Sequence, residues 1–197
     1  MDKRLLLLSH GSTAAMRAGR FPADDPLDER GLAEVAAAAE RVHAALGGTA
    51  AVFVSPARSA RQTAAALGME VDATVESRLN DIDYAAWHGR RLADLAAEAP
   101  HDLAAWMRDP DCAAHGGESF SQLVKRVGQW LDAADLSAHG TDRATVGLVI
   151  THATVIRAAL IHALGASPTV FARIDITPLS LVELRHSARG WVWRPAS

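Results

Sequence analysis

Short, uninterrupted apolar runs alternate along this chain with longer amphipathic stretches. RLLLL at 4–8, AVFV at 51–54 and VGLVIT at 146–151 are apolar but for Arg4 and Thr151 at their ends, and 181–184 and 191–193 are later candidates. Runs of this kind predict strands buried on both faces, as in a parallel sheet covered by helices. Between them the period changes. Leu32, Val35, Ala36, Ala39, Val42, His43 and Leu46 recur at helical spacing behind an Asp28 N-cap, and Gly47-Gly48 ends the pattern. Phe120, Leu123, Val124, Val127, Trp130, Leu131 and Ala134 form a second stripe. A third helix is expected to start with Ser55 as N-cap and Pro56 in its first turn, stopping near Gly68, and a fourth to run over 153–164 and stop at Gly165. Strands alternating with helices predict an α/β fold, a three-layer α/β/α sandwich with a mostly parallel central sheet. One domain is expected over 1–197. A lid-like insertion at about 80–117, interrupted by Pro100 and Pro110, would cover part of it.

Composition changes this picture little. With 49% apolar residues the 197-residue chain can fill a substantial core, and a net charge of -3 offers no general attraction to nucleic acid or anionic membranes. Any anion site must therefore be local. The single Cys112 cannot form an internal disulfide, which favours a reducing compartment. The leucines at 5–8 are too few for a signal peptide, and no stretch approaches the ~18 apolar residues of a membrane span. A cytoplasmic protein is expected, with no nucleic-acid or membrane partner.

Chemistry concentrates where the strands end. In an open α/β sheet ligands bind beyond the carboxyl ends of strands. LLLLSHGST places His10 after the first strand, VFVSPARSARQTA opens a helix near Ser55, and VITHATVIR places His152 after a later strand. Two histidines on neighbouring strand ends suggest one shared site. Helix N-termini behind Ser55 and after His152 would turn backbone N–H groups toward an anion there.

These segments, together with PLDERGLAE at 26–34, LNDIDYAAWHG at 79–89 and GGES at 116–119, resemble the histidine phosphatase superfamily, whose fold is phosphoglycerate-mutase-like. The resemblance runs in order from residue 4 to about Ala159. It implies His10 as nucleophile, His152 as its partner on the phosphoryl group, and Asp81 as the acid that protonates the leaving oxygen. It implies neither metal nor organic cofactor. Around them Ser9, Gly11, Thr13, Arg17, Arg20, Arg58, Ser59, His88 and Ala153 are candidates for binding a small, anionic substrate.

The chain also departs from the pattern. Ser9 stands where the family has the arginine of Arg-His-Gly, Ser59 where it has a second arginine, Met16 where it has asparagine, Asp81 where it has glutamate, and Ala153 where it has glycine. Two lost charge-assisted donors correspond to roughly 3–6 kcal/mol of phosphate binding. Arg58 and Arg61 flank Ser59 and Arg17 and Arg20 follow the nucleophile, so neighbouring cations are available. Arg157 also matches a family position and is expected to serve in a structural pair.

Three readings follow. The first is hydrolysis of a small phosphorylated metabolite through a phosphohistidine, weak or specialised. The second is a degenerate member that binds a ligand or partner, and the third is a pocket repurposed for acid–base chemistry. A metal held by His88 and His115 with His10, His152 and Asp81 lacks ligand spacing in the sequence. Trp87 is a candidate pocket wall, the other four tryptophans are expected to pack, and a homodimer is left open.

Overall fold

The computed structural model describes residues 3–136 and 146–195. Its centre is a six-stranded sheet of β1 (Lys3–Ser9), β2 (Ala51–Val54), β3 (Ala73–Val75), β4 (Val146–Thr151), β5 (Leu181–Ser187) and β6 (Gly190–Pro195), in the order β3-β2-β4-β1-β5-β6. The first four run parallel, while β5 is antiparallel to β1 and β6 to β5. The sheet is thus mixed, with a parallel centre. The three-residue β3, partly exposed, has no apolar run to announce it.

Helices cover both faces because the central strands are apolar on both. The helices are α1 (Ala14–Arg17), α2 (Glu29–Leu46), α3 (Arg58–Ala66), α4 (Leu92–Glu98), α5 (Pro100–Arg108), α6 (Phe120–Ala133) and α7 (Ala153–Leu164). Leu5 and Leu7 share one core with Leu123, Val127 and Leu131 of α6 and Val155 and Ile156 of α7. Leu6 and Leu8 share the other with Val35, Ala38 and Val42 of α2 and Ala60 and Ala64 of α3. All four leucines are at most 1% exposed, and each contributes ~1.5–3 kcal/mol by burial.

Caps define the longer helices. Asp28 accepts the Gly31 N–H at 2.9 Å, and Gly47 ends α2 in the left-handed region at φ 70°. Ser119 and Gln122 form a reciprocal capping box on α6. The third helix differs from expectation. It begins at Arg58 with Ala57 as N-cap, leaving Ser55 and Pro56 outside. The insertion holds α4, α5 and two 3₁₀ turns, Ser77–Leu79 and Ala85–Trp87. It packs through an aromatic cluster in which Trp87 and Trp106 meet Phe21, and Tyr84 meets Phe21 and Trp106. Among the described residues no helix is long and apolar enough to cross a membrane.

Candidate active site

The two histidines meet because their strands are adjacent and in register. Ser9 pairs with Thr151 at the end of the β1–β4 ladder, and the His10 N–H continues it with a 2.9 Å bond to the Thr151 carbonyl. One residue beyond, the imidazoles of His10 and His152 stand edge to face, centroids 5.0 Å apart. They open into a cavity of about 970 Å³.

The local contacts assign each ring its protons. Nδ1 of His10 lies 2.7 Å from the Gly11 carbonyl, which can only accept, so Nδ1 carries the proton and Nε2 keeps its lone pair. Burial lowers the His10 pKa, against the opposing pull of the Gly11 carbonyl and Asp81. The ring is neutral at pH 7, the form a nitrogen nucleophile requires. Burial also lowers the His152 pKa, to about 4, although Asp81 pulls the other way. The Asp81 carboxylate, with Oδ2 at 3.5 Å from His152 Nδ1, favours a proton on that nitrogen. The fully buried Ser55 hydroxyl lies 2.8 Å from Nε2 and 3.3 Å from Asn80 Oδ1, and with Nε2 unprotonated its single proton goes to the nearer ring nitrogen.

Asp81 is held from three directions. Its Oδ1 accepts from the Ile82 N–H at 2.8 Å and from the Thr154 hydroxyl. Arg126 on α6 donates to the Arg78, Asn80 and Asp81 carbonyls and pairs with Glu118 at 2.7 Å. The GGES segment thus fixes the loop of Asp81 through Glu118 while Ser119 starts α6.

The loop after β1 that carries His10 is fixed by close approach to α2 and α3. A Cβ on Gly31 would lie 2.1 Å from the Ser12 carbonyl oxygen, and one on Gly11 would lie 2.8 Å from Val35 Cγ2. The Gly11 N–H donates to Thr63 Oγ1 at 3.0 Å. Gly11 therefore serves packing and does not line the cavity.

The other sequence candidates separate into two groups. Thr13, Arg20, Ser59, His88 and Ala153 line the cavity with His10, His152 and Asp81. Ser9, Arg17 and Arg58 do not, contrary to expectation. Ser9 is buried, with its backbone tied to Ser180 and Leu179. Arg17 pairs with Asp28, which draws it to the start of α2. Arg58 has an exposed side chain, and its backbone N–H is occupied by Asp24 Oδ1 at 2.8 Å. That contact corrects a further expectation, because an aspartate already occupies an N–H in the first turn of α3. The amino end of α7 has no side-chain cap, and Ala153 and Thr154 there line the cavity.

Trp87 is not a lining residue; Tyr84 takes that place, because the 3₁₀ turn sends the indole into the aromatic cluster. Trp193, expected to pack, is 47% exposed on the edge strand. His115 is buried against Tyr84 and Trp87, while His88 lies beside Asp83, so the two do not converge on the histidine pair. Among the described residues no three His, Cys, Asp or Glu side chains are placed to hold a metal ion. Arg157 lies over the Phe171 ring instead of in an ion pair, with its Nε unpartnered.

Sequence reasoning missed Ser55 as a histidine partner, Thr154, Arg126 and Tyr84. Polar residues beside the His152 and Asp81 motifs were the available signal for Ser55 and Thr154. Nothing local marked Arg126, which reaches the site from another element.

The family model for the histidine phosphatase superfamily, branch 1, matches residues 5–195. The chain belongs to that superfamily. Bifunctional protein Rv2228c of Mycobacterium tuberculosis is 37% identical over 186 residues, covering 91% of this chain and 50% of that protein. The chain thus spans about half the length of that relative. A glucosyl-3-phosphoglycerate phosphatase of Mycolicibacterium vanbaalenii is 30% identical over 172 residues, covering 83% of this chain and 75% of that protein. The crystal structure of a putative alpha-ribazole-5'-P phosphatase from Escherichia coli superposes with a TM-score of 0.81 at 21% identity, covering 99% of this chain and 96% of that one. That likeness is one of fold: the phosphoglycerate-mutase-like arrangement expected from the sequence.

Proposed function

We propose that this protein hydrolyses small phosphomonoesters through a phosphohistidine on His10, without a metal. The observation that carries the reading is the state of His10: neutral, with Nδ1–H bonded to Gly11 and Nε2 free, at the mouth of a cavity shared with His152 and Asp81. In the first step Nε2 forms a bond to phosphorus as the ester P–O bond breaks, and Asp81, which takes up a proton as the ester binds, passes it to the leaving oxygen. In the second, Asp81 accepts a proton from water, the hydroxide oxygen bonds to phosphorus, and the N–P bond breaks. The His152 N–H and the amino end of α7 stabilise the equatorial oxygens. The phosphatase names among the relatives support the reaction class, and the alcohol portion of the substrate is left to experiment.

A second reading, a pocket rebuilt for another ligand, is favoured by one observation. Among the described residues the one guanidinium lining the cavity belongs to Arg20, which already donates to the Gly89 carbonyl at 2.7 Å.

Rapid quenching during turnover of a ³²P-labelled aryl phosphate separates the two. The phosphatase reading expects an acid-labile, base-stable label on His10, turnover insensitive to EDTA, and loss of both label and turnover in His10→Ala. Asp81→Asn should slow alkyl esters far more than aryl esters, whose leaving groups need little proton assistance. Unchanged turnover in His10→Ala would overturn the reading.

A further inference from the structure

The phosphoryl chemistry uses one end of the cavity, where His10 and His152 stand at the strand ends with Asp81 beside them. Its volume of about 970 Å³ lies at the top of the roughly 300–1,000 Å³ of pockets that bury a whole drug-sized ligand. A phosphoryl group fills little of it. The side chains around the remaining space therefore decide which alcohol portion fits.

Three separate segments supply apolar side chains there. Met16 comes from α1, Pro22 and Ala23 from the loop that follows it, Pro56 from the turn before α3, and Ile82 and Tyr84 from the insertion. Met16 is 39% exposed, and of the large apolar side chains left exposed among the described residues it alone lines the cavity. A thioether on three rotatable bonds adapts to irregular apolar surfaces. The rest of this wall is built before a ligand arrives. The Phe21 N–H donates to the Arg90 carbonyl at 2.9 Å, the Gly89 N–H to the Phe21 carbonyl at 3.0 Å, and the Leu92 N–H to the Gly19 carbonyl at 2.9 Å. The Phe21 ring meets Tyr84 edge-on with centroids 4.9 Å apart. The loop carrying Pro22 and Ala23 is thus tied to the insertion carrying Tyr84, and little ordering is left to oppose binding.

Charge sets the other limit. Arg20 supplies the one guanidinium in the lining among the described residues, and its Nη1 already donates to the Gly89 carbonyl at 2.7 Å. A second anionic group on the substrate would compete with the phosphoryl group for that cation and meet repulsion from the lining carboxylates. We propose, resting on the phosphatase reading, that the substrate is a phosphomonoester of an uncharged, apolar alcohol. Its phosphoryl group sits between His10 and His152, and its hydrocarbon portion lies against Met16, Pro22, Ala23 and Tyr84. Specificity then comes from apolar area buried beside the site and from repulsion of any further negative charge.

Primary alkyl phosphates of two to eight carbons share one leaving-group chemistry, so the change of kcat/KM with length reports contact and not proton transfer. For the full chain, each added methylene should raise kcat/KM roughly two- to fourfold until the wall is covered, after which the series levels off. Matched ω-hydroxyalkyl and ω-carboxyalkyl phosphates divide polarity from charge: the hydroxyl should cost about tenfold at the longest rising length, and the carboxylate more. Met16→Gln keeps the side chain's length at an exposed position and makes its end polar, so the gain per methylene should shrink. That gain is a ratio within one preparation, which a loss of active protein does not move. A series flat in length, or one led by hydroxyalkyl or carboxyalkyl esters, overturns the proposal and leaves the phosphatase reading standing. A gain unchanged in Met16→Gln overturns it too, since the hydrocarbon then lies elsewhere. No turnover in any series, aryl phosphates included, overturns the phosphatase reading and this proposal with it.

Discussion

Ser55→Ala isolates the contact that sets the proton on His152. Ser55 is fully buried, and its hydroxyl lies 2.8 Å from His152 Nε2 and 3.3 Å from Asn80 Oδ1. The methyl side chain adds no bulk, so the change is the loss of one hydroxyl, which also accepts from the Ala57 N–H at 3.3 Å. It leaves Nε2, on a ring only 3% exposed, without a partner, at a cost of ~1–3 kcal/mol in folding stability. It also removes what holds the ring with Nδ1–H toward Asp81 and the cavity. If that N–H contributes ~1–2 kcal/mol more to the transition state than to the bound ester, kcat falls about 5- to 30-fold with little change in KM.

Two measurements check this reasoning. Steady-state kinetics on an aryl phosphate give the division between kcat and KM, and imidazole ¹⁵N shifts report the tautomer of His152. Ser55→Thr should recover part of the rate if its methyl group is accommodated. A mutant of normal thermal stability, with kcat within twofold of wild type and an unchanged tautomer, would refute the role given to Ser55.

Three further outcomes follow from the same contacts. Gly31→Ala places a Cβ 2.1 Å from the Ser12 carbonyl, so α2 or the nucleophile loop must move; a loss of ~1–3 kcal/mol in denaturant titration and a larger proportional loss of kcat are expected. His152 has a pKa near 4 when folded against an ordinary 6.5, so the unfolded chain takes up the extra proton and stability falls as pH drops from 6.5 toward 4. The effect amounts to about 2 kcal/mol between pH 7 and pH 5, and His152→Gln should flatten that slope; equal slopes would remove the claim that the ring is buried neutral. Ser59→Arg enters the cavity lining and should tighten vanadate binding about tenfold, whereas Ser9→Arg places a charge at a buried position outside the lining and should lower Tm without that gain.

The parts of the fold legible in the sequence are those where local pattern and tertiary demand coincide. Four consecutive leucines in a short run suit a strand covered on both faces, and Leu5 and Leu7 indeed enter one core while Leu6 and Leu8 enter the other. The fourth helix keeps its expected bounds because Gly165 supplies a left-handed stop that competes with nothing else. The third helix does not. Ser55 carries a good capping side chain, but that hydroxyl is drawn to His152, and Asp24 supplies the acceptor for Arg58 from a loop thirty-four residues away. Capping preference is a local signal, and here a contact across the site overrides it. β3 escaped notice for a related reason, since a three-residue edge strand with half-exposed side chains needs no apolar run.

The placement of the candidate residues follows the same rule. His10, His152 and Asp81 stand directly behind strands or in a recognisable motif, and register alone brings the two rings together. Their protonation was not legible, because it depends on groups that come from other elements: the Gly11 carbonyl, the Ser55 hydroxyl, and a loop clamped by Arg126. Ser9 and Ser59, both candidates for binding a substrate, looked equivalent in sequence, yet only Ser59 reaches the cavity lining, while Ser9 faces buried surroundings. With an uncharged side chain at Ser59, the field on a ligand is set by the lining aspartates against Arg20. A phosphate site can tolerate that field if apolar contact with the alcohol portion offsets the repulsion, or if reaction proceeds through a less ionised ester. These alternatives differ in pH dependence: a monoanionic ester should lose turnover as pH rises through about 6, the second ionisation of a phosphate monoester, while a dianionic ester held by its apolar portion should keep it over that range.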